Sequence, residues 1–234
     1  MTAFVKLAAV ETKLLVREPG SLVSVLIPLF FLVVFGASAD STDMVLLPMG
    51  MAIAVALIGL YLLPTTLASY RERGILRRMS TTPVRPGNLL TVQMLLQVVL
   101  LAAATALQLA VAGGLLGLSL PAGFAPVALV LALGTAAMFA VGLLIAALAP
   151  TGRAANGIGV LLYFPMAYLA GLIQPAAQMP ASLARIGEYT PLGAFRTGLG
   201  QAWAGQAPEP LPLVLLAAYT LIISAVAARA FRWE

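Results

Sequence analysis

Charged residues fall in short clusters separated by long apolar stretches. Five stretches carry no Asp, Glu, Lys or Arg: 19–39, 44–70, 86–152, 154–184 and 210–228. A helix crossing a bilayer needs about 20 mostly apolar residues. At 67 residues the third stretch is too long for one crossing. The Gly and Pro residues of Gly117–Pro126 (GLSLPAGFAP) mark a turn that divides it. The pattern therefore predicts six spans, roughly 21–39, 44–68, 88–116, 125–149, 155–174 and 211–229. The fold class is all-α integral membrane, with one transmembrane domain over residues 1–234. The first apolar run follows a charged helical segment and is as long as a span, so it reads as a crossing and not as a cleaved leader.

The few charges set the orientation. Lys6, Lys13, Arg17, Arg71, Arg73, Arg77, Arg78, Arg85, Arg153, Arg229 and Arg232 fall on one side of the predicted membrane, and only Arg185 and Arg196 on the other. Lys and Arg concentrate on cytoplasmic loops, so both termini are expected in the cytoplasm. The formal charge of +5 is thus a topology signal, and it gives no support to a nucleic-acid partner.

Composition removes several chemistries. With 62% hydrophobic and 9% charged residues the chain could not cover a water-soluble surface. It has no Cys and no His, which removes thiol nucleophiles, imidazole bases and the usual zinc ligands; no metal site is expected. Neither Lys6 nor Lys13 follows a Gly, so there is no phosphate-binding loop. Apart from Arg229 at the very end of the last, no Asp, Glu, Lys, Arg or His lies within a predicted span, which disfavours proton-driven transport and intramembrane catalysis.

Three segments outside the spans carry pattern of their own. Thr2–Glu18 places Lys6, Lys13 and Arg17 on one helical stripe, with Phe4, Leu7, Leu14 and Leu15 over much of the opposite side. This predicts a helix lying at the membrane interface before Pro19-Gly20 breaks it; a flank that only fixes topology is the alternative. Tyr70–Asn88 (YRERGILRRMSTTPVRPGN) holds five Arg and one Glu. Glu72 has no basic residue three or four positions away, so it needs a partner elsewhere. Lys13, Arg17 and a cation on another protein are the candidates. In Pro175–Pro212, Thr190 can cap a helix that starts at Pro191. Leu192, Phe195, Leu199 and Trp203 recur there at helical spacing, as expected of a helix tucked into the outer headgroup region, preceded by a shorter one near Ala181–Glu188.

Some polar and aromatic residues remain inside the spans. Gln93, Gln97 and Gln108 form one stripe on the third, fit either for interhelical hydrogen bonds or for a polar strip along a transport path. Tyr163, Phe164 and Tyr168 flank Pro165 in the fifth and are candidates to line a cavity for an amphiphilic substrate.

The stretch ERGILRRMSTTPV resembles the loop signature of the ABC type-2 permease family, the membrane subunits of many drug, polysaccharide and lipid exporters. Glu72, Arg73, Gly74, the pair Arg77 and Arg78, and Thr82-Pro83 carry the likeness. Thr190-Pro191-Leu192 with Arg196 is similar to the family's Asn-Pro-Leu stretch. The resemblance implies a coupling helix at Glu72–Pro83 that docks on a separate ABC ATPase, with Arg153 in a second contact at the turn PTGRAA. It also implies two ATPase copies, a permease homodimer, ATP and Mg held by the partner with no cofactor on this chain, and a bacterial cell membrane. The expected function is ATP-driven export of a hydrophobic or amphiphilic substrate, as in drug-resistance and antibiotic efflux permeases. A non-transporting assembly or regulatory subunit and an ion-driven carrier are the alternatives.

Overall fold

The computed structural model describes residues 3–75, 86–175 and 178–230, and all regular structure among them is helical. Helix α1 (Ala3–Arg17) is separated by Glu18 from α2 (Pro19–Gly36), where Pro19 opens the helix with no N–H to leave unpaired. The next rod is continuous from Leu46 to Glu72: α3 (Leu46–Leu57), a π-helical turn (Ile58–Leu62) and α4 (Leu63–Glu72). Then follow α5 (Pro86–Gly114), α6 (Phe124–Leu148), α7 (Gly152–Leu169), α8 (Ala181–Tyr189), α9 (Pro191–Trp203) and α10 (Pro210–Ala230).

Among the described residues, five helices are long and apolar enough to cross a membrane: α2, the Leu46–Glu72 rod, α5, α6 and α10. Helix α7 stands where the sequence pattern placed the fifth span, over 152–169 instead of 155–174. Its 18 residues extend about 27 Å. Its early start draws Gly152 and the charged Arg153 into the first turn and lowers its apolar character. Its early end has a local cause. Gly171 adopts φ +77°, its N–H bonds Tyr168 O at 2.9 Å, and the N–H of Leu172 bonds Ala167 O at 2.9 Å. That glycine cap closes α7 before the apolar sequence runs out.

The rod forms the centre of the bundle. Ala52, Ala54, Val55, Ala56, Ile58, Leu60 and Leu63 are wholly buried, enclosed by α2, α5, α6 and α7. Along the outside the pattern inverts. Phe30 of α2, Leu161 of α7 and Leu221 of α10 are 70–72% exposed, as expected where the solvent is hydrocarbon.

The helix expected from Thr190-Pro191 is present as α9, and its apolar stripe packs inward. Leu192, Phe195, Leu199 and Trp203 are buried inside the bundle and do not face outward. The cause is Gly134 on α6, where any side chain would collide with the Phe195 ring. The predicted cap is present: Thr190 Oγ1 accepts the Gly193 N–H at 3.1 Å, with Pro191 in the first turn.

Candidate coupling junction and membrane cavity

At the end of the rod, two consecutive side chains straddle the turn between α6 and α7. The Arg71 guanidinium donates to Ala147 O at 3.1 Å and to Ala149 O, carbonyls at the C-terminus of α6. The Glu72 carboxylate accepts the Gly152 N–H, the first of α7, at 2.9 Å. Helix ends leave such groups unpaired, and their partial charges favour a cation at the C-terminus and an anion at the N-terminus. The Arg-Glu pair meets both needs at once. Gly152 makes the approach possible, because a Cβ there would strike Ser69 Oγ of α4. Thr151 completes the cap by accepting the Ala154 N–H at 3.1 Å. Glu72 therefore finds its partner in a backbone amide, not in Lys13 or Arg17.

Of the other residues of the loop signature, Arg73 is exposed and Gly74 turns the chain at φ +65°. Arg153 lies exposed in the first turn of α7, beside the junction. Arg77, Arg78, Thr82 and Pro83 lie outside the described residues.

A buried polar node ties α1 to the same end of the bundle. Glu11 is only 7% exposed. Its carboxylate accepts from Tyr70 Oη at 2.6 Å and from Gln93 Nε2 at 2.6 Å, joining α1, α4 and α5. The sequence reading passed over Glu11. The available signal was its position between Leu7 and Leu15, four residues either way, on the apolar side of the helix. Glu18, at the α1–α2 corner, shares a polar pocket of about 230 Å³ with Leu14, Thr66, Ser69, Tyr70 and Arg73. Burial pushes its carboxyl above the ordinary value, and the Arg73 cation pulls it partly back.

The glutamine stripe of α5 divides. Gln93 serves the Glu11 node. Gln97 and Gln108 are 0% and 1% exposed, and their amides have no hydrogen-bond partner among the described residues. Gln108 fits against α3 only because position 50 is Gly. None of the three lines a cavity described below.

Helix irregularities converge on one apolar cavity of about 480 Å³ between α2, the π-helical turn and α7. Ile27 precedes Pro28 within α2, Leu60 and Tyr61 belong to the π turn, and Tyr163 and Phe164 precede Pro165 within α7; all five line the cavity. Tyr168 lies one turn further on, half-buried and outside the lining. Pro residues and π turns are where helices bend and release backbone groups. Two glycines hold this site against the rod: a Cβ at Gly142 of α6 would strike Gly59 O, and one at Gly159 of α7 would strike Leu60 O. A second apolar cleft, about 560 Å³, opens between α5 and α6.

The arrangement has a binding-sized cavity within a helical membrane bundle, and a helix of that cavity begins at the Arg71–Glu72 junction. Among the described residues no group of three His, Cys, Asp or Glu could hold a metal ion. No curated protein matches the chain. The family model described as ABC-2 type transporter matches residues 2–199, through every helix from α1 into α9. The chain is a multi-pass membrane protein that belongs to the ABC-2 type transporter family, the membrane components of ABC transporters.

Proposed function

We propose that this chain is the permease subunit of an ATP-driven exporter, moving a hydrophobic or amphiphilic molecule such as a drug, antibiotic or lipid out of a bacterial cytoplasm. Residues 1–234 form one transmembrane domain with six crossings, α7 making the fifth, and both termini are cytoplasmic. Helix α1 lies at the interface. The permease works as a homodimer with two ABC ATPase subunits, which hold the ATP and Mg.

One observation carries the reading: the last two residues of α4, Arg71 and Glu72, bond to the end of α6 and to the first residue of α7, the helix that lines the cavity. In this scheme the segment Glu72–Pro83, with Arg153, docks on the ATPase. When ATP closes the ATPases, that segment moves. Arg71 and Glu72 then carry the displacement to the end of α6 and the start of α7. Helix α7 contains Pro165 and packs on the π turn through Gly159, so moving its start reshapes the wall formed by Tyr61, Tyr163 and Phe164. The wall is apolar apart from two phenol hydroxyls and carries no charge, which suits an uncharged or amphiphilic cargo.

Co-expression with the ABC ATPase subunit tests the assignment. The ATPase is expected to co-purify, and reconstituted vesicles are expected to transport a fluorescent amphiphile with ATP and without an ion gradient. Transport that survives ATP depletion and collapses with the proton gradient would instead identify an ion-driven carrier.

A further inference from the structure

One face of α9 is packed into the bundle, and the other, with Arg196, Thr197, Gly200 and Gln201 half-buried, lines a separate cavity of about 330 Å³. The cavity lies between α9 and the first turn of α3, at the opposite end of the Leu46–Glu72 rod from the Arg71–Glu72 junction. Its other wall is Met44, Val45, Pro48 and Met49. Thr197 and Gln201 add a hydroxyl and an amide beside the guanidinium.

No hydrogen bond or ion pair to Arg196 occurs among the described residues. The nearest acid in sequence to the α3 wall, Asp43, is engaged elsewhere: its Oδ1 accepts the Val45 and Leu46 N–H groups, each at 2.8 Å. Burial pushes the Arg196 pKa down. A guanidinium presents five N–H donors and stays charged, so partial burial without an anion is costly. A planar fork beside an apolar wall is suited to bidentate capture of a phosphate or carboxylate.

We propose that this cavity binds the anionic headgroup of an amphiphile, a phosphate or carboxylate on the Arg196 guanidinium with its apolar tail against Met44, Val45, Pro48 and Met49. The ligand is either a phospholipid of the bilayer or a soluble amphiphile of the same headgroup chemistry. The site requires only that the chain sit in a membrane, so its failure would leave the transport reading untouched.

The full chain, purified in an uncharged maltoside detergent, is titrated with dodecyl phosphate, inorganic phosphate and phosphatidylglycerol. Native mass spectrometry reports the bound mass, and thermal unfolding reports the shift in midpoint. Dodecyl phosphate is expected to bind saturably and at least about tenfold more tightly than inorganic phosphate, which lacks the tail. Arg196→Gln is expected to lose about tenfold or more in affinity, and Arg196→Lys to lose less. Competition by phosphatidylglycerol identifies a lipid site; binding without such competition identifies a site for a soluble amphiphile. Should Arg196→Gln misfold, Met44→Glu supplies an internal anion from an exposed rim position, and it is expected to abolish dodecyl phosphate binding while raising the unfolding midpoint. Undiminished binding in Arg196→Gln or in Met44→Glu would overturn the proposal, as would the absence of saturable binding to the natural chain.

Discussion

Glu72 and Gly152 stand 80 positions apart in the chain and are joined by a 2.9 Å hydrogen bond from the Gly152 N–H to the Glu72 carboxylate. The bond converts a loop acid into the N-terminal partner of another helix. Glu72→Ala removes both the acceptor and the charge, and is expected to cost about 0.5–2 kcal/mol, the range of a lost helix cap. Glu72→Gln keeps an acceptor without the charge and is expected to retain part of that stability. Thermal unfolding of the purified variants measures both, and equal losses in the two would argue against the hydrogen bond.

The Glu11 node predicts a non-additive pair. Glu11→Ala takes the short-range acceptor from the half-buried Tyr70 hydroxyl and from the buried Gln93 amide, which keeps only its longer 3.3 Å bond to Tyr70 Oη, at a cost of about 1–3 kcal/mol. Adding Gln93→Ala to Glu11→Ala is expected to cost less than Gln93→Ala costs alone. A double-mutant cycle on unfolding midpoints gives the coupling directly. Strict additivity would show that the two side chains do not act together.

Gly142 and Gly159 predict a steric result. Ala at either position would push α6 or α7 away from the π-turn carbonyls, an overpacking of about 1–3 kcal/mol or more. Gly157→Ala, on the same helix as Gly159 but with open space around it, is the control and is expected to be neutral or slightly stabilising. Unfolding midpoints of the three variants decide the matter, and losses of equal size would contradict the packing.

Glu18 predicts a pH dependence. Burial raises its folded pKa above the ordinary value of 4.5, against a smaller opposing effect of Arg73. A raised folded pKa means that the stabilising contribution of the protonated form is complete below about 4.5 and is lost as pH rises through the folded value. Glu18→Gln cannot ionise. Its stability relative to the natural chain is therefore expected to climb with pH from about 4.5 and then level off. A relative stability that falls with pH would reverse the sign and contradict the burial argument.

Residue pattern alone made much of this fold legible. The charge-free runs located α2, the rod, α5, α6 and α10, and Thr190-Pro191 located the start of α9, because apolar length and capping chemistry are written in side chains. Features that depend on backbone groups or distant partners were not legible. The π turn at 58–62 leaves no mark in IGLYL, and the acceptor role of Glu72 toward a Gly152 N–H involves no complementary side chain. The α9 stripe showed periodicity without showing that Gly134 opens a place for Phe195 inside the bundle. For the candidate site, Tyr163 and Phe164 were legible from their place beside Pro165. Tyr61 and Glu11 were not, because each acquires its setting from other helices.

Coupling across the Arg71–Glu72 junction is tested most directly by the number of molecules transported per ATP hydrolysed. The natural chain and an Arg71→Ala, Glu72→Ala variant would each be reconstituted in liposomes with the ABC ATPase subunit. A fluorescent amphiphile would report transport, and released phosphate would report hydrolysis. The variant is expected to assemble and to hydrolyse ATP, with transport per ATP reduced at least about tenfold, the equivalent of some 1.4 kcal/mol of coupling. An unchanged ratio would show that the ATPase moves the cavity by another route and would contradict the account.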